Sequence, residues 1–255
     1  MSIAVSQLLF GLLILLRFIG LLMTAPVLGL GVIQWKIKIA LAVTLAFLVS
    51  AHMHTSASIP SDLFALGLMG LSEILLGMAI GLVAAMFVHG VRMAAQVAGI
   101  QIGLGFAMLV DPMTGDQSSV LARLVGLTAI LAIVGFNGHH ILIRGLSMSF
   151  YRLPPGQAWT SLVVAAQAVP TAGVTLFLTA ALVSAPALAA VFCLKIAMAL
   201  MARSAPQVHI LAVGFIVTIV IGVLVVAWSM SGMGNTIRTG FELAARQALE
   251  LVSAG

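Results

Sequence analysis

The chain has 255 residues, of which 62% are hydrophobic and 7% charged, with a formal net charge of +5. A soluble domain carries about 25% charged residues, so this composition excludes a soluble fold and describes an integral membrane protein with room for about six spans of about 20 residues each. No length is left over for a soluble catalytic domain, and the eleven Lys and Arg are scattered, without the basic cluster that would point to nucleic acid.

In chain order, the first predicted span runs from about Leu8 to Leu30, with Arg17 inside it and Pro26 near its end. No Lys or Arg precedes the apolar run, and no small-x-small cleavage site follows it. It is therefore expected to be a retained span and not a signal peptide. Span two runs from about Ile37 to Ala51 and gives way to a polar loop from His52 to Pro60. Span three, from about Leu63 to Val88, contains Glu73. A glycine-rich segment from Arg92 to Ser119 separates it from span four, about Val120 to Ile143, after which Arg152, Pro154, Pro155 and Gly156 mark a loop.

The apolar stretch from about Ser161 to Met201 is too long for one span. Pro170 and Pro186 interrupt it. Proline removes a helical hydrogen bond and crowds the preceding turn, which predicts a kinked helix or two half-helices ending near Lys195 to Arg203. Span six runs from about Val208 to Met230, and Gly232-Met-Gly234 predicts a stop before a short C-terminal helix. There Arg238, Glu242, Arg246 and Glu250 alternate in sign every four residues, a spacing that supports a helical face. Ile237, Phe241, Ala244 and Ala248 line the neighbouring apolar face. That face is expected to lie at an interface or on a partner; an idle, solvated helix is the plainer alternative. Lys36, Lys38, Arg92, Lys195 and Arg203 place one set of turnarounds on the cytoplasmic side by the positive-inside rule. Arg144, Arg152, Arg238 and Arg246 fall on the other side, a mixture that fits helices not all crossing the bilayer.

No catalytic constellation is visible, so the chain reads as a non-enzyme with no cofactor. Glu73 and Asp111 lie in different segments, and neither a phosphate-binding loop nor a Gly-x-Ser-x-Gly turn is present. His139 and His140 are consecutive and project about 100° apart on a helix. Cys193 is the single cysteine and reads as a small packing residue; no metal site is expected.

Three features remain. Arg17, Glu73 and Arg123 fall inside or at the edge of spans, where each charge costs a few kcal/mol unless paired or hydrated. They are either an ion path or a buried pair of Glu73 with Arg17 or Arg123; a lone carboxylate favours the pair. Next, Arg92, Gln96, Gly99 and Gly103 make a polar-to-small helical stripe beside an apolar one of Met93, Val97, Ile100 and Leu104. Gly99 with Gly103, and Gly77 with Gly81, are small-xxx-small pairs that let helices approach closely. The stripe is either a packing face or a pore face. Finally, Gly103, Gly105, Phe106, Met108, Leu109, Val110, Asp111, Pro112 and Met113 form a bulky apolar run on a glycine base, ending in a polar turn. It is either a connecting loop or a deformable plug that gates by excluding water.

The run Ala98-Gly-Ile-Gln-Ile-Gly-Leu-Gly-Phe-Ala with Val110-Asp-Pro resembles the signature loop of the FliR family of flagellar export-gate membrane proteins. Phe136-Asn-Gly-His139, Ala205-Pro-Gln207 with Val213-Gly-Phe215, and Thr24-Ala-Pro26 match further markers in order. The resemblance implies an all-α membrane protein with a FliP-like part (1–165) carrying a pore loop at about 103–117, a FliQ-like helical hairpin (166–234) and a short amphipathic helix (235–255). It implies partners FliP and FliQ in a closed hetero-oligomeric core, FlhB and FlhA beside it, and unfolded flagellar subunits as cargo, in the bacterial inner membrane at the flagellar basal body. The injectisome counterpart shares the fold and most motifs. A secondary transporter or ion channel is the remaining alternative, but it would want an inverted repeat, and none is evident.

Overall fold

The computed structural model describes residues 3–29, 31, 33–53, 62–104, 119–204 and 210–253. Among these, every regular element is a helix: α1 (Ile3–Thr24), α2 (Trp35–His52), α3 (Leu63–Ile102), α4 (Val120–Gly135), α5 (Gly138–Arg152), α6 (Ala158–Ser204) and α7 (Ile210–Ser253). Four helices are long and apolar enough to cross a membrane, or up to six if each bent pair is one span. The protein is thus an all-α membrane protein. Only 11% of the best apolar window of α2 and 22% of that of α6 is buried within the chain. That much bare hydrocarbon is stable only against lipid or other apolar protein.

The residues divide into two compact units: Met1–Phe87 with Ile133–Val174 and Gly240–Gly255, and Val88–Ala132 with Thr175–Thr239. In the first, α1 packs on α2 and buries Phe10, Leu13, Ile14, Arg17, Phe18, Leu21 and Leu22, the three-and-four spacing of one helical face. Its opposite partner is α3. A β-carbon on Gly77 would land on the Arg17 carbonyl oxygen and 3.0 Å from the Leu21 nitrogen; one on Gly20 would land on the Ile74 carbonyl and 2.9 Å from the Met78 nitrogen. The two backbones therefore touch, as small residues allow, and the Thr24 hydroxyl donates to the Met78 carbonyl at 2.9 Å.

The last turns of α7 complete this unit. Phe241, Ala244, Ala245 and Ala248 are buried, and the Phe241 ring lies 6.5 Å from that of Phe87 and 5.8 Å from that of Phe136. The apolar face expected at an interface is thus covered inside the chain.

The second unit is built from smaller side chains. Ala94, Ala95 and Ala98 of α3, Ala122 and Ala129 of α4, Ala180 and Ala187 of α6 and Val226 of α7 are buried. The Arg92 side chain covers Gly126, Ile102 covers Gly222, and Met198 of α6 covers Gly214 of α7.

Four sequence expectations are corrected. Helix α3 does not end at Val88 but continues unbroken to Ile102, so the helical stripe expected from Arg92 onward is the end of the same helix. Predicted span four is broken. Asn137 adopts φ 59° and ψ 32° and separates α4 from α5, asparagine being one of the few residues that enter the left-handed region readily. Helix α6 runs through Pro170 and Pro186 as one helix of 47 residues, which excludes two half-helices. Each proline removes one bond from a ladder that an apolar medium otherwise strengthens. At 1.5 Å per residue it spans about 70 Å, more than twice the hydrocarbon of a bilayer, about 30 Å. Last, Gly232 and Gly234 do not stop α7, which bends there and continues; a glycine costs a helix only about 1 kcal/mol.

Candidate functional site

The signature segment leaves α3 and enters α4 through defined geometry in the second unit. At its start, Gly103 has φ +101°, a conformation that glycine adopts without strain. The Leu104 N–H donates to the Gly99 carbonyl at 2.9 Å and the Gly103 N–H to the Ile100 carbonyl at 3.1 Å. This pair of bonds is the Schellman ending, which satisfies the last carbonyls of a helix and turns the chain away from its axis. A β-carbon on Gly103 would meet the Phe215 ring at 2.9 Å, so an aromatic of α7 sits against the turn. Gln101, one residue before the last of α3, accepts from the Lys195 ammonium at 2.9 Å.

At the other end, the Ser119 hydroxyl accepts from the Ala122 N–H at 3.1 Å and so caps α4. The Ser119 N–H donates to the Gln96 side-chain carbonyl at 2.7 Å. Gly99 lies directly beneath: a β-carbon there would sit 2.8 Å from the Ser119 hydroxyl oxygen. Entry and exit are therefore pinned to the same turn of α3. The stripe of Arg92, Gln96 and Gly99 faces α4 through Gly126 and Ser119, while Met93 and Ile100 of the parallel stripe are exposed. The plug residues Gly105, Phe106, Met108, Leu109, Val110, Asp111, Pro112 and Met113 lie outside the described residues.

Replacing Ser119 by Ala should cost about 1 kcal/mol through the lost cap, while Gln96→Ala removes the acceptor of the Ser119 N–H. Limited proteolysis is expected to cut the 105–118 segment faster in Ser119→Ala and Gln96→Ala than in the unaltered chain. Equal cutting rates would show that the anchor does not restrain it.

The intramembrane charges are placed separately. In the first unit the Arg17 Nε–H donates to Glu73 Oε2 at 2.5 Å, with both side chains fully buried. Arg17 Nη1 donates to the Ser149 hydroxyl at 3.1 Å, and both terminal nitrogens donate to the Leu153 carbonyl at 3.3 Å. The guanidinium also sits 4.3 Å from the centre of the Phe150 ring. The second oxygen of Glu73 accepts the Gly156 N–H at 2.7 Å. The pair thus ties α1 and α3 to the end of α5 and to the loop before α6. Arg123, the other candidate partner of Glu73, is exposed on α4 in the second unit.

Sequence reading missed Ser119, Ser149, Gly156 and Phe215. Ser119 carried a readable signal, a serine just before an apolar helical run, and Gly156 followed two prolines at a turn. Phe215 stood in the Val213-Gly-Phe215 marker without its contact being readable, and Ser149 carried no signal, since both roles come from residues far away in the chain. His139 and His140 project apart along the helix, yet their rings lie 4.3 Å apart.

Known proteins resemble the chain along most of its length. The family model described as "Bacterial export proteins, family 1" matches residues 8–244. The chain is 33% identical over 214 residues to "Flagellar biosynthetic protein FliR" of Escherichia coli (strain K12), covering 84% of this chain and 81% of that protein. It is 31% identical over 208 residues to the protein of that name from Pectobacterium carotovorum subsp. carotovorum, covering 82% and 79%. With the one from Bacillus subtilis (strain 168) it shares 27% over 234 residues, 91% and 90% of the two chains.

Proposed function

We infer, because this chain belongs to the FliR family of bacterial export proteins, that it is a flagellar biosynthetic protein and a membrane-embedded subunit of the flagellar protein export gate. The observation that carries this reading is the match along residues 8–244, which includes the signature loop and every marker around it. On this basis we propose that the chain assembles with FliP and FliQ into a closed core in the bacterial inner membrane, next to FlhB and FlhA. Unfolded flagellar subunits pass through that core.

The chain would contribute structure and not chemistry, the driving energy coming from other components. A large bare apolar surface on α2 and α6 supports assembly with further membrane subunits. Within the assembly, the segment from Gly103 to Gln117 would act as the plug. The pinned base supports this role, because Gly103 and Ser119, which bracket the segment, are both held on one turn of α3. Arg17 with Glu73 would keep the first unit's shape, and Arg92, Gln96 and Gly99 would hold the loop base.

Two measurements test this. Purification under mild detergent should bring down two different small membrane proteins with the chain, whereas a transporter would come alone or as a homo-oligomer. Deleting Gly105 to Gly115 should make the assembled core conduct small ions. An unchanged conductance in a correctly assembled core would remove the plug from the mechanism.

A further inference from the structure

Helix α5 differs from its neighbours. His140, Arg144, Met148, Tyr151 and Arg152 are exposed, while Leu142, Leu146, Ser149 and Phe150 are buried. The exposed positions recur at four, four and three to four residues and so share one face. That face carries two arginines, and among the described residues neither meets a carboxylate. The buried face is held by the Arg17 contacts to Ser149, Phe150 and Leu153, so the helix cannot roll to hide its charges.

Two aromatic residues near Arg152 in the chain are exposed: Tyr151 by 71% and Trp159 by 69%. Trp159 lies in the first turn of α6, where the apolar stretch Ala158–Met201 begins. Exposed Trp and Tyr at the start of an apolar span mark the level where hydrocarbon meets headgroups. Tyr151 and Arg152 also line a cavity of about 440 Å³, together with Gly145, Met148, Ser149 and Leu249. Its walls are mostly apolar, and a guanidinium stands among them.

We propose that this face of α5 and the cavity beside it bind an anionic phospholipid, with the phosphate on Arg152 and Arg144 and the upper acyl chain against Met148 and Leu249. The chemistry matches at each level. Cations with no protein partner take a phosphate, and arginine forks onto it through paired donors. Amphipathic rings sit at the ester level, and an apolar hollow takes hydrocarbon. An acidic protein surface would use the arginines but neither the aromatic pair nor the hollow. The inference goes beyond the export role and needs only that the chain is embedded in a membrane.

The test uses the full chain, purified in mild detergent with whatever subunits accompany it and stripped of lipid. Binding of phosphatidylglycerol and phosphatidylcholine is measured by native mass spectrometry. The unaltered chain should retain phosphatidylglycerol over phosphatidylcholine. Each of Arg144→Gln and Arg152→Gln should weaken phosphatidylglycerol about fivefold, the worth of one basic residue at an anionic surface. Met148→Trp, which narrows the cavity, should weaken it with both arginines present. Soluble glycerol phosphate should fail to displace the lipid. Equal retention of the two lipids, or unchanged binding in the double arginine variant, overturns the proposal. Displacement by glycerol phosphate would make this a phosphate site, and loss of an accompanying subunit with lipid binding unchanged would make it a protein interface; either result also overturns it. Both arginines are exposed, so unchanged helicity and elution position serve as the folding control.

Discussion

Replacing Arg17 with leucine is expected to destabilise the chain by about 3–5 kcal/mol, the loss seen when one partner of a buried ion pair is removed. The carboxylate of Glu73 would remain fully buried with the Gly156 N–H as its one remaining bond among the contacts described. The Leu153 carbonyl and the Ser149 hydroxyl would also lose their donor. Thermal unfolding of the purified chain in detergent reads the effect directly. The double variant Arg17→Met with Glu73→Leu should recover much of the loss, because it removes both charges and fills the space with hydrocarbon. Glu73→Gln should fall between, since the amide oxygen still accepts from Gly156 while the charge attraction is gone. If Arg17→Leu and Glu73→Gln both leave assembly and stability unchanged, the pair does not hold this unit together.

A methyl group at Gly77 is the second large effect. Gly77→Ala should cost about 1–3 kcal/mol or more, the range for forcing volume into a packed interior. The upper end is favoured because the obstacle is backbone. The added carbon would overlap the Arg17 carbonyl oxygen and approach the Leu21 nitrogen. Neither atom belongs to a side chain that can swing away, so α1 and α3 must separate. That separation also draws Arg17 from Glu73, which lies one helical turn before Gly77 on α3. The two lesions therefore share a mechanism, and Gly77→Ala combined with Arg17→Leu should cost less than the sum of the two. Gly67→Ala on the same helix is the control. Nothing lies within 4 Å of its added carbon, and alanine is the better helix former by about 1 kcal/mol, so stability should hold or rise. Equal losses at Gly67 and Gly77 would mean that helix contact is not the cause.

The buried pair and the loop base are different kinds of feature. Arg17 and Glu73 lie 56 residues apart in sequence, and Arg17 reaches Leu153 across 136. They join segments that nothing local would bring together. The base of the signature segment is mostly local: Ser119 caps its own helix, Gly103 ends its own helix, and Gln96 spans only 23 residues. Local features of this kind were readable as glycine, serine and polar residues at helix ends. Even there, the packing of Phe215 on Gly103 depends on α7 returning beside α3, which no spacing rule foretells.

Composition and the lengths of the apolar runs alone determined that this is a helical membrane protein, because 62% hydrophobic residues cannot be enclosed in a soluble fold and runs of about 20 apolar residues match the helical crossing of a bilayer. Periodicity determined equally that Ile237, Phe241, Ala244 and Ala248 form one apolar face, and the loop wording carried the family. Tertiary structure decided what local preference leaves balanced. It chose Arg17 over Arg123 as the partner of Glu73, because pairing depends on which helices meet. It carried α6 through two prolines, because apolar surroundings favour an intact ladder over a broken one. It broke the fourth apolar stretch at Asn137, where a left-handed residue lets Phe136 reach Phe241 and lets α5 present an exposed basic face. The choice of partner for Glu73 and the packing of Phe136 on Phe241 depend on contacts between residues distant in the chain, and such contacts exist only once the chain has folded.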